Sequence, residues 1–318
     1  MPRSNISQTM GGIYAALATP RRANSTEVDT AAFFDYQDGI TRAGVDGLVL
    51  FGSTGEFIHF DLEERIHAVT LIIKRSRIPV LVNVSHSTLH GSLVLAEGAL
   101  AAGAAGLLLM PPYFYRYTDA QLLAFYRHFA ELVDGRVPPF LYNLPSFTNP
   151  LSFQAIEQLL SSGVYAGIKD SSGDRQLFEQ LRDLHAATPF TWFVGNESFF
   201  LEARSGGGDG IVSGVAAAIP ELLVAMDRAI ANKSWEHANQ LNSLLSEFLI
   251  WVEKFPATVA IKQAAAQRGW NLAQFAFPLE KATSMEINTF REWLSDWLPR
   301  MVATSTEPAA TNVHRTRA

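Results

Sequence analysis

The chain of 318 residues contains no cysteine. Disulfide frameworks, thiolate metal sites and cysteine nucleophiles are therefore excluded together. Basic charge is also short. Lys and Arg number 25 against 31 Asp and Glu, a formal net charge of -6. A general nucleic-acid binder carries a basic face, so none is expected here. No apolar run approaches the roughly 20 residues that span a bilayer. The opening MPRSNISQTM has no apolar core of signal-peptide length. The expectation is a cytoplasmic protein with no nucleic-acid and no membrane partner. A Gly-rich dinucleotide fingerprint is missing as well. The first apolar run leads into ALATPRRANS, which offers no such loop.

What is present is an alternation. Short apolar runs fall at Ile13–Thr19, Gly47–Gly52, Val80–Val84, Gly106–Met110, Phe140–Leu144, Ala166–Lys169, Trp192–Gly195 and Gly210–Ser213, with amphipathic helical patterns between them. Eight strand–helix units in a row point to a parallel sheet with helical crossovers. Eight is also the number that closes a (β/α)8 TIM barrel. From Ser234 the strand patterns stop, and SWEHANQLNSLLSEFLIWVEKF, ATVAIKQAAAQRGW and INTFREWLSDWL read as helices. The expected organisation is an N-terminal segment over 1–11, the barrel over 12–233, a helical appendage over 234–302 and a disordered tail over 303–318.

Chemistry in such barrels sits at the C-terminal ends of the strands. Those ends hold Thr19, Ser53–Thr54, Ser85–His86, Pro111–Tyr113, Tyr142–Asn143, Lys169–Ser171, Asn196–Glu197 and Ser213. Of the six lysines, Lys74, Lys169, Lys233, Lys254, Lys262 and Lys281, only Lys169 lies at such an end. It closes an apolar run in YAGIKDSSGD. An amine drawn out of water deprotonates more readily, and a neutral amine attacks a ketone to form an iminium. The iminium withdraws electrons from the neighbouring carbon, so a C–C bond there can break or form. Protons must also move, and Tyr142 with Thr54 offers hydroxyls to move them. The plainer reading makes Lys169 a solvated strand end and Tyr142 a packed aromatic.

The motifs GIYAALATP, GLVLFGSTGEF, PFLYNLPSFT, GIKDSSGD and GGGDGIVSG follow in this order over residues 12 to 214. With them the chain resembles the dihydrodipicolinate synthase / N-acetylneuraminate lyase family, pyruvate-dependent class I aldolases on a (β/α)8 barrel. The resemblance implies that Lys169 forms a Schiff base with pyruvate or another 2-oxo acid. It implies that Tyr142 shuttles protons, that Thr54 relays them, and that Ser53 and Thr54 bind the substrate carboxylate. No cofactor is implied. A homotetramer or homodimer is, since members are commonly tetramers built from dimers.

Two positions depart from the family pattern. The synthases place an arginine two residues after the proline of YNxPxRT, where it holds the carboxylate of the aldehyde partner. Here YNLPSFT puts Phe147 there, and Phe cannot pair with a carboxylate. Many members also carry a tyrosine, used by a neighbouring subunit, where this chain has Phe114. Ser171, Asn196, Glu197 and Ser213, lined by Gly195 and Val212 at the last two strand ends, suit a hydroxylated chain. The expectation is a 2-oxo-3-deoxy sugar-acid aldolase. Behind it stand a 2-oxo-acid dehydratase, a 4-hydroxy-tetrahydrodipicolinate synthase and a non-catalytic 2-oxo-acid binding protein. Asn196 and Glu197 also suit a helix cap. His86 and His90, four apart, lack a third metal ligand in the sequence pattern, so no metal is expected.

Overall fold

Strands of four or five residues that are apolar on both faces demand cover on both faces. The computed structural model, which describes residues 10–256 and 258–306, meets that demand by closure. Strands β1 (Gly12–Ala16), β2 (Gly47–Leu50), β3 (Val80–Asn83), β4 (Gly106–Leu109), β5 (Pro139–Asn143), β6 (Gly167–Asp170), β7 (Thr191–Val194) and β8 (Gly210–Ser213) form one closed parallel barrel in sequence order. The crossovers are α1 (Thr30–Arg42), α2 (Leu62–Arg75), α3 (Leu89–Ala102), α4 (Asp119–Val133), α5 (Phe153–Ser161), α6 (Arg175–Ala187) and α7 (Phe200–Ser205), with α8 (Pro220–Ala231) after the last strand. The (β/α)8 barrel is as expected.

Local chemistry sets the element ends. Asp61 and Glu64 form a reciprocal capping box that starts α2, and Thr118 with Gln121 does the same for α4. The SGGGDG stretch stops α7, with Gly207 at φ +96°. Strand β5 begins on Pro139, a position where a missing N–H is tolerated.

Beyond the barrel lie α9 (Trp235–Lys254), α10 (Val259–Gln267) and α11 (Lys281–Thr306). Helices α9 and α11 pack on α8, and α10 packs on both of them. Of the late tryptophans, Trp251, Trp293 and Trp297 gather with Phe248 and Phe290, while Trp270 lies 5.4 Å from Tyr36 of α1. The last helix departs from expectation. It continues through Pro299 to Thr306, so residues 303–306, expected as tail, are helical. Trp297 and Met301 are both buried, and this packing on either side carries the helix past the proline. The remaining tail residues, and residues 1–9, lie outside the described ones. Among the described residues no helix is long and apolar enough to cross a membrane.

Candidate active site

Side chains alternate between the two faces of a strand. Tyr142 and Lys169 are register partners on β5 and β6, so they share a face. Asn143 and Asp170 are the next pair and share the other. The second pair ties the strands together. Asn143 Nδ2 donates to Asp170 Oδ1 at 2.8 Å, and Ser172 Oγ donates to Asp170 Oδ2 at 2.8 Å. Burial pushes the Asp170 carboxyl above its ordinary value, and these hydrogen bonds pull it partly back. Sequence reasoning did not single out this brace, although the adjacent positions Asn143 and Asp170 were in view at the strand ends.

Lys169 is only 4% exposed, and its Nζ lies 4.0 Å from the centre of the Tyr142 ring. Two lysines of the described residues are buried, Lys169 and Lys262. Lys262 is matched by the carboxylate of Glu56 at 2.7 Å, whereas Lys169 meets the ring face. The solvated strand end is therefore not what the structure shows. A buried amine beside a phenol is an arrangement that stability alone does not call for.

The hydroxyl on Tyr142 belongs to a different residue from the one expected. Ser53 Oγ lies 3.1 Å from Tyr142 Oη. Thr54, the expected relay, turns away, and its Oγ1 would sit 2.9 Å from a Cβ placed on Gly214, beyond β8. The reason is local. Successive residues of a tight turn point in different directions, and here the turn closes from Glu56 N–H to Ser53 C=O at 3.0 Å. The stretch GLVLFGSTGEF contains both hydroxyls, and nothing in the residue types says which one faces the strand.

Ser171 Oγ is buried and has no hydrogen-bond partner among the described residues. Opposite it stands Gly195, where any Cβ would collide with that oxygen and lie 2.8 Å from Lys169 Cε. Gly195 therefore keeps the space beside the lysine open, and a side chain there would close it. The other expected contacts are partly engaged already. Asn196 Oδ1 accepts from Ser198 N at 3.0 Å and from Ser198 Oγ at 2.7 Å, which is the cap. Glu197 Oε1 accepts from Ser213 Oγ at 2.7 Å and from Val215 N at 3.2 Å. Val212 is buried within β8 beside Tyr14 of β1 and offers only apolar surface. His86 bonds within its own turn, Nδ1 lying 3.0 Å from Thr88 Oγ1.

Comparison with known proteins adds an independent line. The model of the dihydrodipicolinate synthetase family matches residues 9–296. The chain belongs to that family. It is 33% identical over 279 residues to a 4-hydroxy-tetrahydrodipicolinate synthase of Salinibacter ruber, covering 84% of this chain and 89% of that protein. It is 30% identical over 258 residues to an uncharacterized DapA-like lyase of Halobacterium salinarum, covering 80% and 83%. The fold matches that of a prophage protein of the dihydrodipicolinic acid synthase family from E. coli K12, solved in complex with pyruvate. The TM-score is 0.82 at 24% identity, over 91% of this chain and 99% of that one. A lyase of the dihydrodipicolinate synthetase family is thus the setting for the Lys169 site. Within that family the chain keeps its departures in plain view. Phe147 is 64% exposed and Phe114 is 87% exposed, the latter at φ 89° and edge-on to Tyr115.

Proposed function

We propose that the chain forms a Schiff base between Lys169 and pyruvate or another 2-oxo acid, and catalyses reversible aldol cleavage. The observation that carries this reading is the buried Lys169 amine over the Tyr142 ring, with Ser53 on the phenol. The amine adds to the C2 carbonyl, a C–N bond forms and water leaves. The resulting iminium is the electron sink. Tyr142, having given its own proton to the departing water, takes the proton of the C4 hydroxyl, the C3–C4 bond breaks, and its electrons move toward nitrogen as an enamine. An aldehyde departs. Protonation of C3 and addition of water then release pyruvate and restore the amine. Ser53, in place of Thr54, is the hydroxyl that passes protons to and from Tyr142. Thr54 and the backbone N–H groups of the same turn are left for the substrate carboxylate.

For the substrate we favour a 2-oxo-3-deoxy sugar acid. Ser171 Oγ, buried and unpartnered beside Lys169, supports a ligand hydroxyl there, because a buried polar atom without a partner is costly. Phe147 speaks against an aldehyde partner that ends in a carboxylate, even though relatives carry the synthase name. The test is intact mass after incubation with pyruvate and borohydride, followed by a panel of sugar acids and of aldehydes with a distal carboxylate. A reduced adduct and turnover of sugar acids alone is the expected result. No adduct sinks the aldolase reading, together with an imine-based dehydratase, and favours a binding protein or a metal-dependent enzyme that a chelator would inhibit.

We extend the proposal to a homo-oligomer. Phe114, Tyr115 and Phe147 are large and exposed on two neighbouring loops, which Asn149 ties by donating to the carbonyls of Pro112 and Tyr115. Apolar surface of this kind suits a second copy of the chain. Sedimentation as a monomer at micromolar concentration would remove this extension.

A further inference from the structure

Ser53 places a hydroxyl on Tyr142, and the turn that carries Ser53 is held by residues far away in sequence. Its closing residue, Glu56, has φ 53°, and its entry residue, Phe51, has φ 55°. Non-glycine residues keep left-handed backbone only where the surroundings over-determine it. Three pins do so here. Asn83 Nδ2 donates to Phe51 O at 2.6 Å, and Thr19 Oγ1 donates to Gly55 O at 2.7 Å. The third pin comes from outside the barrel. The Glu56 carboxylate accepts from Lys262 Nζ at 2.7 Å and from Thr258 Oγ1 at 3.3 Å, with Arg21 Nε 3.9 Å away.

Lys262 belongs to α10, 206 residues further along the chain, and its side chain is fully buried. Thr258, at the start of the same helix, has φ 74°. Burial pulls the Lys262 amine below its ordinary value, and Glu56 pulls it back. A buried ion pair loses the hydration of both ions, and apolar side chains of similar volume often stabilise a fold better. Stability is therefore a weak reason for an ion pair at this place. Geometry is a stronger one, because Glu56 N–H bonds directly to the Ser53 carbonyl.

We propose that the Glu56–Lys262 pair is a positioning device for the reaction. It locks the Ser53–Glu56 turn so that the Ser53 hydroxyl stays on Tyr142, and it makes α10 part of the catalytic apparatus. Glu56 and Lys262 are positioning residues, acting through Ser53 and touching no reacting atom. The inference rests on the reading of Lys169 as the imine-forming lysine and Tyr142 as the proton carrier.

The test separates the two ideas. Exchange of the pyruvate methyl protons in D2O, followed by NMR, reads proton transfer at the enamine carbon without any aldehyde present. Wild type, Lys262→Met, Ser53→Ala and the double variant are compared, and each is trapped with borohydride alongside. All four are expected to give the full adduct after long incubation with saturating pyruvate. Exchange is expected to slow about tenfold or more in each single variant, since small misplacements of a catalytic group cost that much or more. The double variant should be little slower than the slower single one, because both changes act through one hydroxyl. Wild-type exchange in Lys262→Met, or losses that multiply in the double variant, would overturn the proposal. If Lys262→Met does not fold, the isosteric Glu56→Gln carries the same comparison. A wild type that traps no adduct overturns the Schiff-base reading and this inference with it, an outcome distinct from a trapped adduct with unchanged exchange.

Discussion

Lys169→Ala is expected to abolish the borohydride-trapped adduct and to lower turnover by roughly 10³-fold or more, the scale on which a covalent nucleophile is missed. The fold should survive. The amine is buried against a ring face, and among the described residues it holds no carboxylate that would be left unpaired. Removing it takes a polar group out of a dry site, which offsets the packing lost with its methylenes. Thermal melts of the two proteins should therefore lie close together while their activities diverge. A variant that loses activity only in proportion to a lowered melting temperature would make Lys169 a structural residue. A variant that still traps pyruvate would place the imine on another lysine.

Tyr142→Phe separates binding from proton transfer. The ring stays beneath Lys169, so the lysine keeps its neighbour and the imine can still form. The hydroxyl goes, and Ser53 Oγ loses its partner at 3.1 Å. Cleavage should slow by roughly 10²- to 10⁴-fold, the usual worth of a positioned acid–base group. Adduct yield after long incubation should match wild type. The measurement is kcat for the cleavage direction beside the trapped mass. A kcat within a few-fold of wild type would mean that water, or another hydroxyl at the mouth, carries the proton.

The barrel was legible because its signal is repeated. Eight apolar runs at the right spacing, each followed by an amphipathic stretch, leave little room for another architecture. Lys169 and Tyr142 were legible for a related reason, since a strand end is a position in the sequence as well as in the fold. Register then put the two on one face. The choice between Ser53 and Thr54 was not legible. It depends on the rotation of a turn whose backbone is set by contacts from the segment after β1, from β3 and from α10. Nothing in the sequence singles out Lys262 within its helical pattern, because its partner lies far away in sequence and no short pattern joins them. The last four residues of α11, 303–306, were not legible as helix because ATST is small and polar, and it continues a helix already anchored by the burial of Trp297 and Met301. Asn196 was left open between pocket and cap, and its Oδ1 serves the cap.

Closure of the barrel joins β1 to β8, residues 12–15 beside residues 210–213. Tyr36, near the start, donates its hydroxyl to the carbonyl of Ala217 across 181 residues. A chain leaving the ribosome cannot make these bonds until most of it has been synthesised. Until then β1 and the most recently made strand are open sheet edges, each offering unpaired backbone groups to any other chain nearby. Contacts so distant in sequence also form slowly. The last strand therefore does two things at once when it docks. It completes the floor on which the chemistry stands, and it removes the two surfaces through which the unfinished molecule is most able to aggregate.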